Sequence, residues 1–395
     1  MRSASHSDAV FVAFRVCTRF MVHVPWLFHF STSVRGLSAT EFGWMIAIFY
    51  LAVVSFEVPS GILADRFGRR RLLVIGAIAN VLACVMLVTA FDFLAFALAQ
   101  VLFAIGTATI SGADSALLFD RLAAEGREND YTRIEGISQA AWLIVTAFAM
   151  ALADLFLVGG GDPTPAVIVT GVIQLLGIIC ALGLHENRQP HEKGARAIAA
   201  AALENIVRVP GAARWIAISV GVFVLVRSAI VLLYNPILDA AMVPVDRWGS
   251  LLALINVAGG LAAWQAHRWT GGRGAERMVV VLPVALVAMY AGLATFHSGS
   301  ATLLFCVQGV AFGVYPVAMR TVLNRRIPDP RHRATVLSIE SLACRLAFAG
   351  TAAAVGVLLD RAELSWAIGA AVALGLLPLL ASALLPPTDQ RDVGR

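Results

Sequence analysis

Twelve apolar runs follow one another along this 395-residue chain, at roughly 9–30, 39–61, 72–91, 93–118, 136–158, 165–185, 213–236, 247–267, 277–296, 300–322, 334–358 and 364–385. A hydrocarbon slab about 30 Å thick is crossed by about 20 residues of α-helix, which rises about 1.5 Å per residue. Unpaired backbone groups in lipid cost several kcal/mol each, so strands with open edges are excluded. Each run is also much longer than the roughly 9–11 residues of a barrel strand. The expectation is an all-α membrane protein with 12 transmembrane helices. Charge agrees: 14% of residues are charged and the mean hydropathy is +0.80, against about 25% charged residues in a soluble domain.

The basic residues orient the helices. Of 30 Lys and Arg, 23 fall at the termini and in the even-numbered loops, three (Arg35, Arg247, Arg361) in the opposite loops, and four (Arg15, Arg19, Arg227, Arg345) inside spans. The positive-inside rule then puts both termini in the cytoplasm of a cytoplasmic (inner) membrane, multi-pass. The net charge of +5 is therefore a matter of topology, and no nucleic-acid partner is expected. The first apolar run has no small-residue cleavage site and reads as a retained helix. Cys17, Cys84, Cys180, Cys306 and Cys344 lie far apart in apolar runs and read as small core residues, with neither disulfide nor metal pairing.

The two halves echo each other. "LFAIGTATISGADSALLFDRL" followed by "RIEG" matches "LFCVQGVAFGVYPVAMRTVL" followed by "SIES", at an offset of 202 at the Leu-Phe pair and 205 at Glu135 and Glu340. Six helices duplicated in parallel are the arrangement of two-half transporters. The expected division is an N-terminal six-helix bundle over 1–185, a linker with an amphipathic surface helix over 186–212, and a C-terminal six-helix bundle over 213–395. The two bundles would be pseudo-symmetric.

Between the second and third runs lies "GILADRFGRRRLL", residues 61–73. Gly61 and Gly68 lack a Cβ, which permits close helix approach and a tight turn. Asp65 at a helix end needs a cationic partner, and Arg66, Arg69 and Arg70 are at hand, with Arg71 an anchor at the membrane surface. Gly61, Leu63, Ala64, Asp65, Arg66, Gly68, Arg69 and Arg70 match, in order, the loop motif of the major facilitator superfamily, and the twelve-span duplicated topology resembles that family over the whole chain. "SGADSALLFD" in the fourth run, with "FEVPSG" before the motif, resembles a broad bacterial branch of it. The resemblance implies a central cavity between the halves, alternating access, and a conformational latch built from this loop with Asp120 and Arg133. Asp65 has His267 as its counterpart in the second half, so the latch is expected to be asymmetric.

An arginine at mid-span costs about 2.5–3.5 kcal/mol on insertion scales, so Arg15 and Arg19 together would cost about 5–7 kcal/mol without compensation. Arg15, Arg19 and His23, at i, i+4 and i+8, are expected along one helical face. Arg15 can neutralise Glu57 and Asp114. Arg19 and Arg227 have no evident acid at their level, and guanidinium holds an oxyanion in a fixed fork. The expected substrate-binding set is Arg19, Arg227, His23, Arg345, Tyr234 and Asn235. The expected proton-coupling set is Glu57, Asp114, Glu340 and Arg15, because a substrate competing with a carboxylate for an arginine links the two. Glu135 is a further acid, read as a gate residue beside the basic loop.

No phosphate-binding Gly-rich loop, metal-ligand spacing or nucleophile–base pair is present, so neither an enzyme nor a cofactor is expected. These features together point to a secondary transporter, proton-coupled, for a small organic anion or amphipathic metabolite. Its partners would be that small molecule, protons and the lipid bilayer, and it would act as a monomer. The fifth run lacks the Gly-Pro pattern of drug/proton antiporters in the superfamily. Multidrug efflux and lipid flipping remain the alternatives.

Overall fold

The structure, a computed structural model, describes residues 6–157, 161–186, 212–271, 273–296, 298–326 and 330–385. All regular structure among them is helical. Twelve segments are long and apolar enough to cross a membrane: α1 (His6–Val34), α2 (Ala39–Ala64), α3 (Arg69–Thr89), α4 (Phe93–Ala124), α5 (Glu128–Ala153), α6 (Thr164–Gly183), α7 (Ala213–Val231), α8 (Val245–Trp269), α9 (Gly274–Thr295), α10 (Gly299–Leu323), α11 (Val336–Arg361) and α12 (Leu364–Leu384). They match the twelve apolar runs one for one. The chain forms two compact units, Met1–Ala195 with Val245–Ala253, and Arg196–Pro244 with Leu254–Arg395. The start of α8 thus groups with the first unit, whereas the repeat places all of it in the second half. Apart from Glu186 and Ala212, the linker expected over 186–212 lies outside the described residues.

Local chemistry sets the helix ends in the first unit. Ser38 and Glu41 form a reciprocal capping box at the start of α2: Ser38 Oγ accepts from the Glu41 N–H at 3.1 Å, and Glu41 Oε2 accepts from the Ser38 N–H at 2.8 Å. Asp92 caps α4 by accepting the Ala95 N–H at 2.8 Å. The α2 helix continues to Phe67 and stops at Gly68, whose φ of +96° suits glycine and lets the chain reverse directly into α3. Where α3 crosses α4, a Cβ on Gly106 would overlap the Asn80 amide, so the small residue brings the backbones together as in other membrane helix pairs. Phe11, Phe14, Leu73, Leu117, Leu118 and Leu122 fill the core at the end of this unit nearest the basic loop. Large apolar side chains such as Val85, Leu94, Phe148 and Ile179 lie exposed on its outside, as a lipid-facing surface requires.

Two interruptions matter for the site. The regular helix of α1 ends at Arg19, and the chain resumes as a short 3-10 turn at Val24–Trp26 and a π-helical turn at Phe30–Val34. Pro25, which has no N–H to give to a preceding turn, sits in that 3-10 piece. α4 breaks between Ile110 and Ala113 at Gly112, with φ +82°. In the second unit the helix of α7 likewise stops at Val231, and a separate short helix begins at Tyr234.

Candidate functional site

The first unit buries a compact ionic cluster. Arg15, with a side chain 2% exposed, donates from Nε to Asp114 Oδ2 at 2.8 Å and from Nη1 to Glu135 Oε1 at 2.6 Å. It also reaches Ser138 Oγ at 3.1 Å and Ser115 Oγ at 2.7 Å, and its guanidinium lies 5.1 Å from the Phe11 ring centroid. The break at Gly112 restarts α4 just before Asp114, whose Oδ1 accepts the Ser115 N–H at 2.7 Å. Its Oδ2 is shared, because Arg19 Nη2 also reaches it at 3.0 Å. Arg19 donates further to Gln139 Oε1 at 3.2 Å and lies over Trp142, whose indole N–H bonds the Arg19 carbonyl. Two arginines therefore face two carboxylates, and the cluster is electrically balanced.

This geometry differs from the sequence expectation at three places. Arg19 is not without an acid, because the break in α4 brings Asp114 to its level. Arg15 pairs with Asp114 as expected, but the second acid on it is Glu135, one turn inside the α5 helix, where Glu57 was expected. Glu57 is half-buried on α2. His23 leaves the expected stripe because the helix ends at Arg19. Its ring is buried, stacked on Phe103 at 5.8 Å with Nδ1 3.2 Å from Thr170 Oγ1, a packing contact between α1, α4 and α6. Arg19, in contrast, remains about one-third exposed, at 32%, and is the cluster's accessible cation.

The second unit holds a cation in different surroundings. Arg227 on α7 is half-buried between the rings of Phe223 and Phe312, 5.6 Å from each centroid. Among the described residues no carboxylate lies within ion-pair distance of it, so its guanidinium is held by ring faces alone. Next along the chain, Tyr234 and Asn235 are buried, with Tyr234 edge-on to Phe305. Glu340, the counterpart of Glu135, accepts a hydrogen bond from Ser219 Oγ, which also meets the Tyr315 hydroxyl, and Cys344 Sγ lies 3.7 Å from Glu340 Oε1. Arg345 is half-buried on the same helix.

The loop motif is partly assembled. Arg69 on α3 forms an ion pair with Asp120 at the end of α4, and its backbone N–H donates to Glu186 Oε1 at 2.6 Å. Arg70 donates instead to the Leu182 carbonyl. Arg66 is exposed over the Phe67 ring. Arg133 is exposed and makes no ion pair among the described residues, and the Asp65 side chain lies outside them. Gly61 does not serve close packing, since a Cβ there would meet nothing within 4 Å; Gly68 does serve the turn.

Two polar centres escape the sequence reading. Asp8 is buried near the start of α1 and binds both Arg121 and Arg127, the latter at 2.8 Å, and Arg127 also binds Glu125 and Asp130. Asp154, just after α5, is 6% exposed and accepts the N–H groups of Gly249 and Ser250 at 2.8 and 2.7 Å, capping the start of α8. Burial pushes its carboxyl above the usual range. An acid at the edge of an apolar run was the available signal in both cases.

Known proteins supply the remaining finding. An uncharacterized transporter of Buchnera aphidicola subsp. Schizaphis graminum (strain Sg) is 27% identical over 134 residues, which is 34% of each chain; the match thus spans about a third of that relative. The crystal structure of the nucleoside transporter NupG superposes with a TM-score of 0.79 at 12% identity, covering 96% of this chain and 99% of that one. A D-xylose–proton symporter superposes at 0.70 with 13% identity, over 97% and 98% of the two chains. At these identities the structures share the fold. The sequence profile of the Major Facilitator Superfamily matches residues 9–339, and with the twelve spans and the shared fold, the chain belongs to that superfamily.

Proposed function

We propose that this protein is a secondary transporter that moves a small organic anion by alternating access, coupled to protons. It would lie in a cytoplasmic membrane with both termini on the cytoplasmic side, following the bias of its basic loops. The observation that carries the reading is Arg227. A guanidinium inside a span, held by two phenyl rings and with no carboxylate at ion-pair distance among the described residues, is suited to take its counter-charge from a ligand. Coupling follows from the balanced cluster of the first unit. While Asp114 and Glu135 are both ionised, Arg19 has no surplus charge to offer. One proton on either acid leaves a net positive charge beside the exposed part of Arg19, and an anion is then favoured there. The proton symporter among the solved relatives supports this only through its fold, so the charge count is the argument.

A second reading, export of hydrophobic cations, is favoured by Glu340, an acid whose partners among the described residues are a hydroxyl and a thiol rather than an arginine. One experiment separates the two. Protein reconstituted in vesicles is offered a panel of carboxylates, organic phosphates and hydrophobic cations, with and without an inward proton gradient. Anion uptake that needs the gradient, and that falls about 10- to 100-fold in Arg227→Gln through loss of a charged hydrogen bond of about 1.5–3 kcal/mol, supports the proposal. Cation export unaffected by that substitution would replace it.

A further inference from the structure

Arg70 closes the loop motif and Arg71 follows it, and neither forms an ion pair among the described residues. Both instead line a groove of about 610 Å3 between the start of α3 and the end of α6, with Val74, Ile75, Leu182 and Glu186 as the other walls. The geometry points to an anionic phospholipid as its occupant, with the headgroup phosphate on Arg70 and Arg71 and an acyl chain along Val74, Ile75 and Leu182.

The register of α3 gives the groove the order of a lipid. Val74 and Ile75 lie four residues after Arg70 and Arg71, on the same helical face and about 6 Å further along the axis. The cations therefore stand at the outer end of the membrane span and the apolar walls inside it. The charge balance leaves the arginines available. Glu186, the acid of the groove, has Oε1 engaged by the Arg69 N–H, and the Arg69 guanidinium is taken by Asp120. Arg70 uses one Nη2 contact on the Leu182 carbonyl, and its other N–H groups have no acceptor among the described residues. Arg71 is exposed and has no hydrogen bond or ion pair among the described residues. Two cations against one acid favour an anion.

The walls decide where that anion comes from. Ile75 is 52% and Leu182 54% exposed, on helices that cross the membrane. A free phosphate would reach the arginines and leave this apolar surface uncovered. A phospholipid satisfies both ends of the groove at once, as basic pockets between membrane helices do for acidic headgroups.

The test is native mass spectrometry of the full-length protein in detergent, titrated with phosphatidylglycerol, phosphatidylcholine or soluble glycerol phosphate. One tightly retained phosphatidylglycerol is expected, with phosphatidylcholine weaker and glycerol phosphate unable to displace it. Each arginine is expected to contribute about fivefold, corresponding to about 1 kcal/mol per basic residue near an acidic surface. Arg70→Gln with Arg71→Gln should thus weaken retention about 25-fold, while Arg268→Gln, an exposed arginine elsewhere at a span end, should leave it unchanged. If the double variant does not fold, Arg71→Gln alone, at a side chain with no hydrogen bond or ion pair among the described residues, should show the fivefold step. Equal loss in Arg268→Gln would mean diffuse attraction, and displacement by glycerol phosphate would mean a water-facing phosphate site. Unchanged retention in the arginine variants would mean the groove holds no lipid. Any of these three results overturns the inference.

Discussion

Glu135→Gln tests the charge balance on which coupling rests. Glu135 Oε1 takes a hydrogen bond from Arg15 at 2.6 Å, while Oε2 is buried with no partner. Glutamine keeps the shape and one acceptor for Arg15 but removes the negative charge, so it imitates the protonated acid. The structural loss is the difference between a charged hydrogen bond, about 1.5–3 kcal/mol, and a neutral one, about 0.5–1.5, or about 1 kcal/mol of stability. The functional effect is larger in kind. If anion binding requires one proton on the cluster, wild-type affinity falls tenfold per pH unit above the pH at which that proton leaves, about 1.4 kcal/mol per unit. Glu135→Gln already carries the net positive charge, so its affinity should be flat over the same range and its uptake independent of a proton gradient. The assay is anion affinity at several pH values between about 5 and 8, by ligand-induced thermal stabilisation, together with vesicle uptake. A variant that keeps the tenfold slope would refute the reasoning and move the proton to another acid, with Glu340 the first to examine.

Arg15→Gln and Asp114→Asn form a double-mutant cycle. Each single change leaves a buried charge unbalanced and should cost about 3–5 kcal/mol, and the double variant should cost clearly less than the sum. Additive losses in denaturant titrations would show that the pair does not couple. Asp154→Asn concerns pH. Because burial holds the Asp154 carboxyl above its usual value, the folded state retains this proton more tightly than the unfolded one. Stability should therefore fall as pH rises from about 3.9 through the raised value and level off above it. The asparagine variant should lose that part of the slope, as read from melting temperatures between pH 4 and 7; identical slopes in the two proteins would contradict the assignment.

How far the sequence could be read depended on whether a helix is continuous. The twelve spans were legible because hydrocarbon thickness dictates run length; most boundaries shifted by a few residues, and the start of α5 moved furthest, from 136 to Glu128. The pairing of Arg15 with Asp114 was also legible, from two opposite charges at similar depth. Two of the three departures fall where helices break; the third, Glu135 in place of Glu57 beside Arg15, falls on unbroken helices. His23 belongs on the Arg15–Arg19 face only if α1 continues past Arg19, and Arg19 lacks an acid only if α4 runs unbroken through Gly112. The glycine and Pro25 were visible, but whether such a residue bends, caps or interrupts a membrane helix is settled by what neighbouring helices offer the freed backbone groups. The same contrast separates the two cations of the proposed function. Arg19 is neutralised because a break in α4 aims Asp114 at it, whereas Arg227 sits on the unbroken stretch of α7 between two phenyl rings, with no carboxylate at ion-pair distance among the described residues. Arg19 and Arg227 thus differ in the source of their counter-charge, which the protein supplies in the first unit and, under the proposal, the cargo supplies in the second.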